Sequence, residues 1–235
     1  MNITSTQNDK VKYWNNLKNK KFRDQEKKFL IEGDHLILEA QKLGLILETI
    51  SIVNPDADYF VTKEIMQKIS DQSSICYNAA VCKFIPEDTI NGNIIILDGI
   101  QDPGNLGTII RSGVAFNMKN IILSNTSVDF YNPKVVRATE GMIFHTNVLR
   151  RDLLEFIPQL KLLGYKIIGT DVIKGNTIPK LNNNLAIIIG SEGQGMSNEI
   201  RNLCDDFINI PISSECESLN AGVAASIIMY EVNHE

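Results

Sequence analysis

Residues 94–97 form a continuous apolar run, which suits a strand buried on both faces of a parallel sheet. Downstream, Leu106, Ile109, Ile110, Gly113 and Val114 recur at helical spacing, so one face of a helix packs back on that sheet. Between them Asp98, Gly99, Gln101, Asp102, Pro103, Gly104, Asn105 and Gly107 make a polar turn at the carboxyl end of the strand. Open α/β sheets place their sites there.

The alternation continues to the C-terminus. Residues 121–123, 146–149, 166–169, 185–189 and 207–210 read as strands, and 133–141, 152–163, 197–204 and 219–232 as helices. Strand and helix in turn predict a parallel sheet covered on both faces. Upstream the periods are shorter: a strand at 29–31, a helix at 34–43 ended by Gly44, and a strand at 45–53. After the Asn54-Pro55 turn, Thr62 caps a helix with Ile65, Met66 and Ile69 on its apolar side, and 75–84 is a strand. Pro86-Glu87-Asp88 and Asn91-Gly92-Asn93 are polar and turn-rich. We therefore expect a small α/β domain over 1–90 and a larger one over 91–235.

Composition fits an ordinary globular chain, 43% hydrophobic and 22% charged. The opening MNITSTQNDK has no apolar signal region, and no run approaches the roughly 18 apolar residues of a membrane span. A cytoplasmic protein without a membrane partner is expected. Cys76, Cys82, Cys204 and Cys216 have no metal-ligand spacing and read as reduced thiols. Net charge is −5, but residues 1–28 carry a net +5, leaving −10 elsewhere. This basic segment, with Tyr13 and Trp14, reads either as a phosphate-contacting arm or as a solvated surface helix.

Two more polar loops follow apolar runs: Gly190-Ser191-Glu192-Gly193-Gln194-Gly195, and residues 213–220. The glycines let backbone approach a ligand closely, although the spacing matches neither GxGxxG nor GxxxxGK[ST]. A glycine-rich turn has a structural reading too, but a carboxylate inside it, Glu192, gains nothing from packing. Arg111 lies off the apolar stripe of its helix, which suits a surface ion pair as well as a site. Asn105 fits a helix cap, and so does Ser218, with Asn220 then in the first turn. The last helix is apolar nearly all round and rich in small residues, so close neighbours bury it, and a subunit interface is one source of them. His35, His145 and His234 sit in unrelated contexts, and neither a Ser/His/Asp arrangement nor a metal-ligand set is visible.

Taken together, the three loops resemble the three motifs of the SpoU (TrmH) family of RNA ribose 2′-O-methyltransferases, in the SPOUT class. Asn105 and Arg111 in DGIQDPGNLGTIIR match the first, Glu192 in IIIGSEGQGMS the second, and Ile210-Pro211 with Glu217-Ser218-Leu219-Asn220 the third. DFYNPKVVRATEG, at 129–141, is similar to the family as well. FLIEGDHLILEA resembles the family's small RNA substrate-binding domain, of the L30e-like kind. The resemblance implies an α/β fold with a deep trefoil knot in the C-terminal part, S-adenosylmethionine as methyl donor, and a homodimer with each site completed across the interface. It implies donor contacts at Gly190, Ile210 and Leu219, and a catalytic constellation of Asn105, Arg111, Glu192, Ser218 and Asn220. Arg111 would accept the ribose proton or, with its fork of donors, position a phosphate. The implied activity is ribose 2′-O-methylation of structured RNA, ribosomal ahead of transfer RNA; the alternative is a non-catalytic RNA-binding protein on the same scaffold.

Overall fold

The computed structural model describes residues 1–72, 74–172, 175–176 and 184–233. The first half contains β1 (Asn2–Ile3), α1 (Asp9–Asn16), α2 (Lys20–Glu26), β2 (Lys28–Glu32), α3 (Asp34–Lys42), β3 (Ile46–Ser51), β4 (Tyr59–Val61), α4 (Lys63–Ile69) and β5 (Asn78–Lys83). The second contains β6 (Ile94–Asp98), α5 (Pro103–Ala115), β7 (Asn120–Leu123), α6 (Pro133–Ala138), β8 (Asn147–Arg150), α7 (Leu153–Leu162), β9 (Lys166–Thr170), β10 (Leu185–Gly190), α8 (Asn198–Arg201), β11 (Asp206–Ile208) and α9 (Ala221–Asn233). Among the described residues no helix is long and apolar enough to cross a membrane.

Two compact units result, Met1–Pro86 with Asp129–Phe144, and Glu87–Val128 with the described residues of His145–Glu235. In the first, a mixed sheet has the order β1-β4-β3-β5-β2, with β5 antiparallel to both neighbours. The basic N-terminal segment is no free arm. Asn8 and Asn19 cap α1 and α2 with their side chains, and Val11, Trp14 and Leu17 are buried against Ile65 and Ile69. Trp14 donates its indole N–H to Glu48 at 2.9 Å, so its ring and its polar edge are both used inside the unit.

Residues 129–144 depart from an expected single break near residue 90. Arg23, buried in α2, donates from Nη1 to the carbonyls of Leu17 and Lys18, both at 2.7 Å, and from Nη2 to Asp129 at 2.5 Å. Tyr131 packs on Phe29, with centroids 4.7 Å apart, and stacks on Phe84 at 3.9 Å. A buried guanidinium and an aromatic cluster thus bind this segment into the N-terminal unit.

The second unit is built on a six-stranded parallel sheet of order β11-β9-β10-β6-β7-β8. The run 94–97 is fully buried and pairs with β10, whose residues 185–189 are buried as well. Leu153, Ile157 and Leu160 of α7 and Ile200 of α8 cover one face, against Ile94, Ile96 and Ile188. Helices α5 and α9 pack together, and α9 contacts β10. The cap of α5 is Asp102, not Asn105: the Asp102 carboxylate accepts from the Asn105 N–H at 2.8 Å, and Pro103 starts the helix. Asn105 is therefore the third residue of the helix, with its side chain left for other work.

Candidate active site

A cavity of about 340 Å³ opens at the carboxyl ends of β9 and β10 and beside the chain leaving β11. That is the sheet edge where the 98–107 and 190–195 loops begin. The second loop folds back on itself: the Ser191 N–H donates to the Gly195 carbonyl at 3.1 Å, and the Gly195 N–H to the Ser191 carbonyl at 2.9 Å. A Cβ on Gly190 would stand 2.3 Å from the Gly195 carbonyl carbon and the Met196 nitrogen, and Gly195 has φ +67°. Only glycines allow this closure. Its tip presents Glu192.

Glu192 is where the three loops converge. Its Oε1 accepts from Asn105 Nδ2, from Asn220 Nδ2 at 2.8 Å and from the Ala221 N–H at 3.3 Å. Asn220 Nδ2 also reaches Asn105 Oδ1 at 2.8 Å. The cap of α9 is thus Asn220, not Ser218: its Oδ1 accepts from the Val223 N–H at 3.2 Å. Gly222 lets α9 come this close, since a Cβ there would lie 3.2 Å from Thr108 Cβ and 3.3 Å from Asn105 Oδ1. A carboxylate fully occupied on one oxygen by three donors is a fixed acceptor, with its charge dispersed over two amides and a helix N-terminus.

Asn105, Glu192 and Asn220 are therefore bonded to one another, and Gly190, Ile210, Ser218 and Leu219 line the cavity beside them. Arg111 stands apart. It is exposed on α5, six residues beyond Asn105, and has no hydrogen bond or ion pair among the described residues. Six residues rotate a helix by about 600°, so the two side chains leave α5 on different faces. Thr170 and Asp171 also line the cavity and were not singled out in the sequence. The Asp171 carboxylate pairs with Arg201, whose guanidinium lies 4.6 Å over the Phe207 ring. Their position at the carboxyl end of a strand, like that of Asp98, was the available signal.

Among the described residues no histidine lines the cavity. His35 Nε2 is 3.1 Å from the Glu140 carbonyl oxygen, His145 ends a 3₁₀ turn, and His234 lies outside the described residues. Among the described residues no three His, Cys, Asp or Glu side chains converge as a metal ligand set.

Residues 92–230 match the SpoU rRNA Methylase family, and residues 8–74 match the MRM3-like substrate binding domain. The chain is 33% identical over 245 aligned residues to the 23S rRNA (guanosine(2553)-2′-O)-methyltransferase RlmP of Bacillus subtilis (strain 168), covering 98% of each chain. Among solved structures, an rRNA methyltransferase from Sinorhizobium meliloti superimposes with a TM-score of 0.90 at 25% identity, over 99% of this chain and 96% of that one. An AdoMet-bound rRNA methyltransferase from the same organism shares the fold, with a TM-score of 0.88 at 24% identity over 99% and 97%.

Proposed function

Because the chain belongs to the SpoU rRNA Methylase family, we propose that it transfers a methyl group from S-adenosylmethionine to a ribose 2′-hydroxyl of structured RNA, ribosomal ahead of transfer RNA. The observation that carries this reading is the convergence of Asn105, Glu192 and Asn220 at the rim of a cavity lined by Gly190, Ile210 and Leu219. The residues present suit the donor. Ile189, Ile208, Ile210 and Leu219 offer apolar walls, and the glycine loop offers backbone groups at its edge. When bound, the donor supplies an electrophilic sulfonium methyl.

The chain's own part is positioning. Ribose must present its 2′-oxygen in line with the methyl group, and a fixed rim of amides and carboxylate holds that alignment. Glu192, with three donors on Oε1, locks the 190–195 loop to the start of α9 and so fixes the cavity wall. Ser218 and Leu219 shape the opposite wall. Arg111, turned away from its own chain's cavity, serves a second subunit: a homodimer would bring it to the neighbouring site, as a proton acceptor or a phosphate clamp. Exposed Val223 and Tyr230 on the otherwise apolar α9 support such an interface. The return of the chain from edge strand β11, past the closed 190–195 loop, to α9 beside α5 supports a trefoil knot in this part. The N-terminal domain, 1–90, binds RNA, which the match over 8–74 supports, and a ribosomal RNA substrate puts the protein in the cytoplasm.

Calorimetric titration with S-adenosylmethionine and S-adenosylhomocysteine tests this. Saturable binding with one site per chain is expected. Absence of binding, with total RNA present as well, favours the non-catalytic RNA-binding alternative.

A further inference from the structure

Two local folding rules are broken at one place on the N-terminal unit. Lys28 and Lys83 are directly paired across the antiparallel strands β2 and β5, and like charges in that register repel. The residue before, Lys27, ends α2 with φ +54°, a left-handed conformation that glycine or asparagine adopts at less cost. Nearby compensation is slight. Lys27 and Lys83 are exposed and have no ion pair among the described residues, and the one carboxylate near Lys28, Glu26, is 3.9 Å away. The ammonium groups of Lys27 and Lys28 lie over the rings of Phe84 and Tyr13, at 5.7 and 5.5 Å, which keeps both at this end of the strand pair.

Local rules broken together for so small a stabilising return mark a functional surface. Three cations gathered at one strand end, on a chain whose residues beyond 28 sum to −10, call for an anion that is large and repeated. We propose that Lys27, Lys28 and Lys83 form a phosphate-contacting patch for substrate RNA. This rests on the RNA-methyltransferase reading and adds to it which face of the N-terminal unit carries the contact. A backbone contact of this kind is sequence-independent and salt-dependent.

Fluorescence anisotropy of the full-length protein with a labelled 23S ribosomal RNA fragment, across a salt series, tests the patch. The variants are Lys27→Gln/Lys83→Gln, Lys83→Glu, and Lys12→Gln as a control, because Lys12 lies in the same basic segment but is paired with Asp9 at 3.0 Å. The double variant should bind more weakly, with the slope of log Kd against log salt reduced by about 1 per lysine removed. Lys83→Glu should also weaken RNA binding while its melting temperature stays level or rises, since it sets opposite charges across the strands. S-adenosylmethionine affinity should be unchanged in both. Patch variants that match Lys12→Gln in affinity and slope overturn the patch and leave the RNA reading intact. A wild-type protein that binds no RNA overturns both.

Discussion

Exchanging Asn105 for aspartate changes one atom and should do more harm than removing the side chain. Asn105 is 8% exposed, donates from Nδ2 to Glu192 Oε1 and accepts from Asn220 at Oδ1. Asn105→Ala removes one donor and one acceptor from the network, a loss of about 1–3 kcal/mol. Asn105→Asp removes the same donor and sets a second carboxylate against the first. At an effective dielectric of 20, two unit charges about 4 Å apart repel by about 4 kcal/mol. Glu192 is open to solvent on one side, and screening reduces that to about 2–3 kcal/mol. The whole cost, about 3–5 kcal/mol, falls on the contact that holds the 190–195 loop against α9. Donor affinity then falls with the fraction of molecules whose loop is closed. With tenfold per 1.4 kcal/mol, we expect about tenfold weaker donor binding for Asn105→Ala and at least a hundredfold for Asn105→Asp. Calorimetry measures both, with circular dichroism to confirm that the fold is retained, and methyl transfer should be lost in each. If Asn105→Asp binds the donor as well as wild type, or better than Asn105→Ala, the network does not hold the cavity wall.

Gly190→Ala drives a Cβ to 2.3 Å from the Gly195–Met196 peptide, so the loop cannot close; a purified, folded variant should show no calorimetric heat with S-adenosylmethionine. Arg23→Met removes the guanidinium that bonds two carbonyls and Asp129 and leaves that half-buried carboxylate without its cation; urea unfolding should show a loss of about 3 kcal/mol, and an unchanged midpoint would refute the role of the 129–144 segment as an anchor. Burial pushes the thiols of Cys76 and Cys204 up to about 11 and that of Cys82 to about 12. Exposed Cys216 should therefore react first with a disulfide reagent at pH 8, half-buried Cys204 more slowly, and buried Cys76 and Cys82 only on unfolding. The raised values also set a sign for stability. The folded state keeps thiol protons that the unfolded chain releases near pH 9, so stability is full below that pH and falls as pH rises towards 11, which urea midpoints at pH 8 and pH 10.5 would register.

Much of the C-terminal unit was legible because its signals are local. The run 94–97 and the periodicity of residues 106–114 depend on near neighbours, and the structure has β6 and α5 there. What escaped depends on partners far along the chain. β1 and β4 are too short for a periodic signal, and they exist because Asn2 and Ile3 pair with Phe60 and Val61. Residues 133–141 read as a plain helix, since nothing local tells that Asp129 just before it meets Arg23 or that Tyr131 meets Phe84. Asp102 and Asn105 are both good cap residues, and so are Ser218 and Asn220; only the folded contacts decide that Asp102 and Asn220 cap and that Asn105 and Asn220 bond to Glu192. The basic segment around Trp14 reads as an arm or a solvated helix, yet Glu48, thirty-four residues away, accepts the Trp14 N–H inside the unit. Asp171 stands at the carboxyl end of β9 as Asp98 does at that of β6, and applying the strand-end rule to every strand would have found it.

Methyl transfer to ribose is measured by a single assay. Purified protein is incubated with S-adenosylmethionine carrying a tritiated methyl group and ribosomal RNA from a strain lacking the gene, and the RNA is digested to nucleosides. We expect the label in a single 2′-O-methylnucleoside, absent with Asn105→Asp protein. Label on a base, or none while the protein still binds the RNA, would contradict the account.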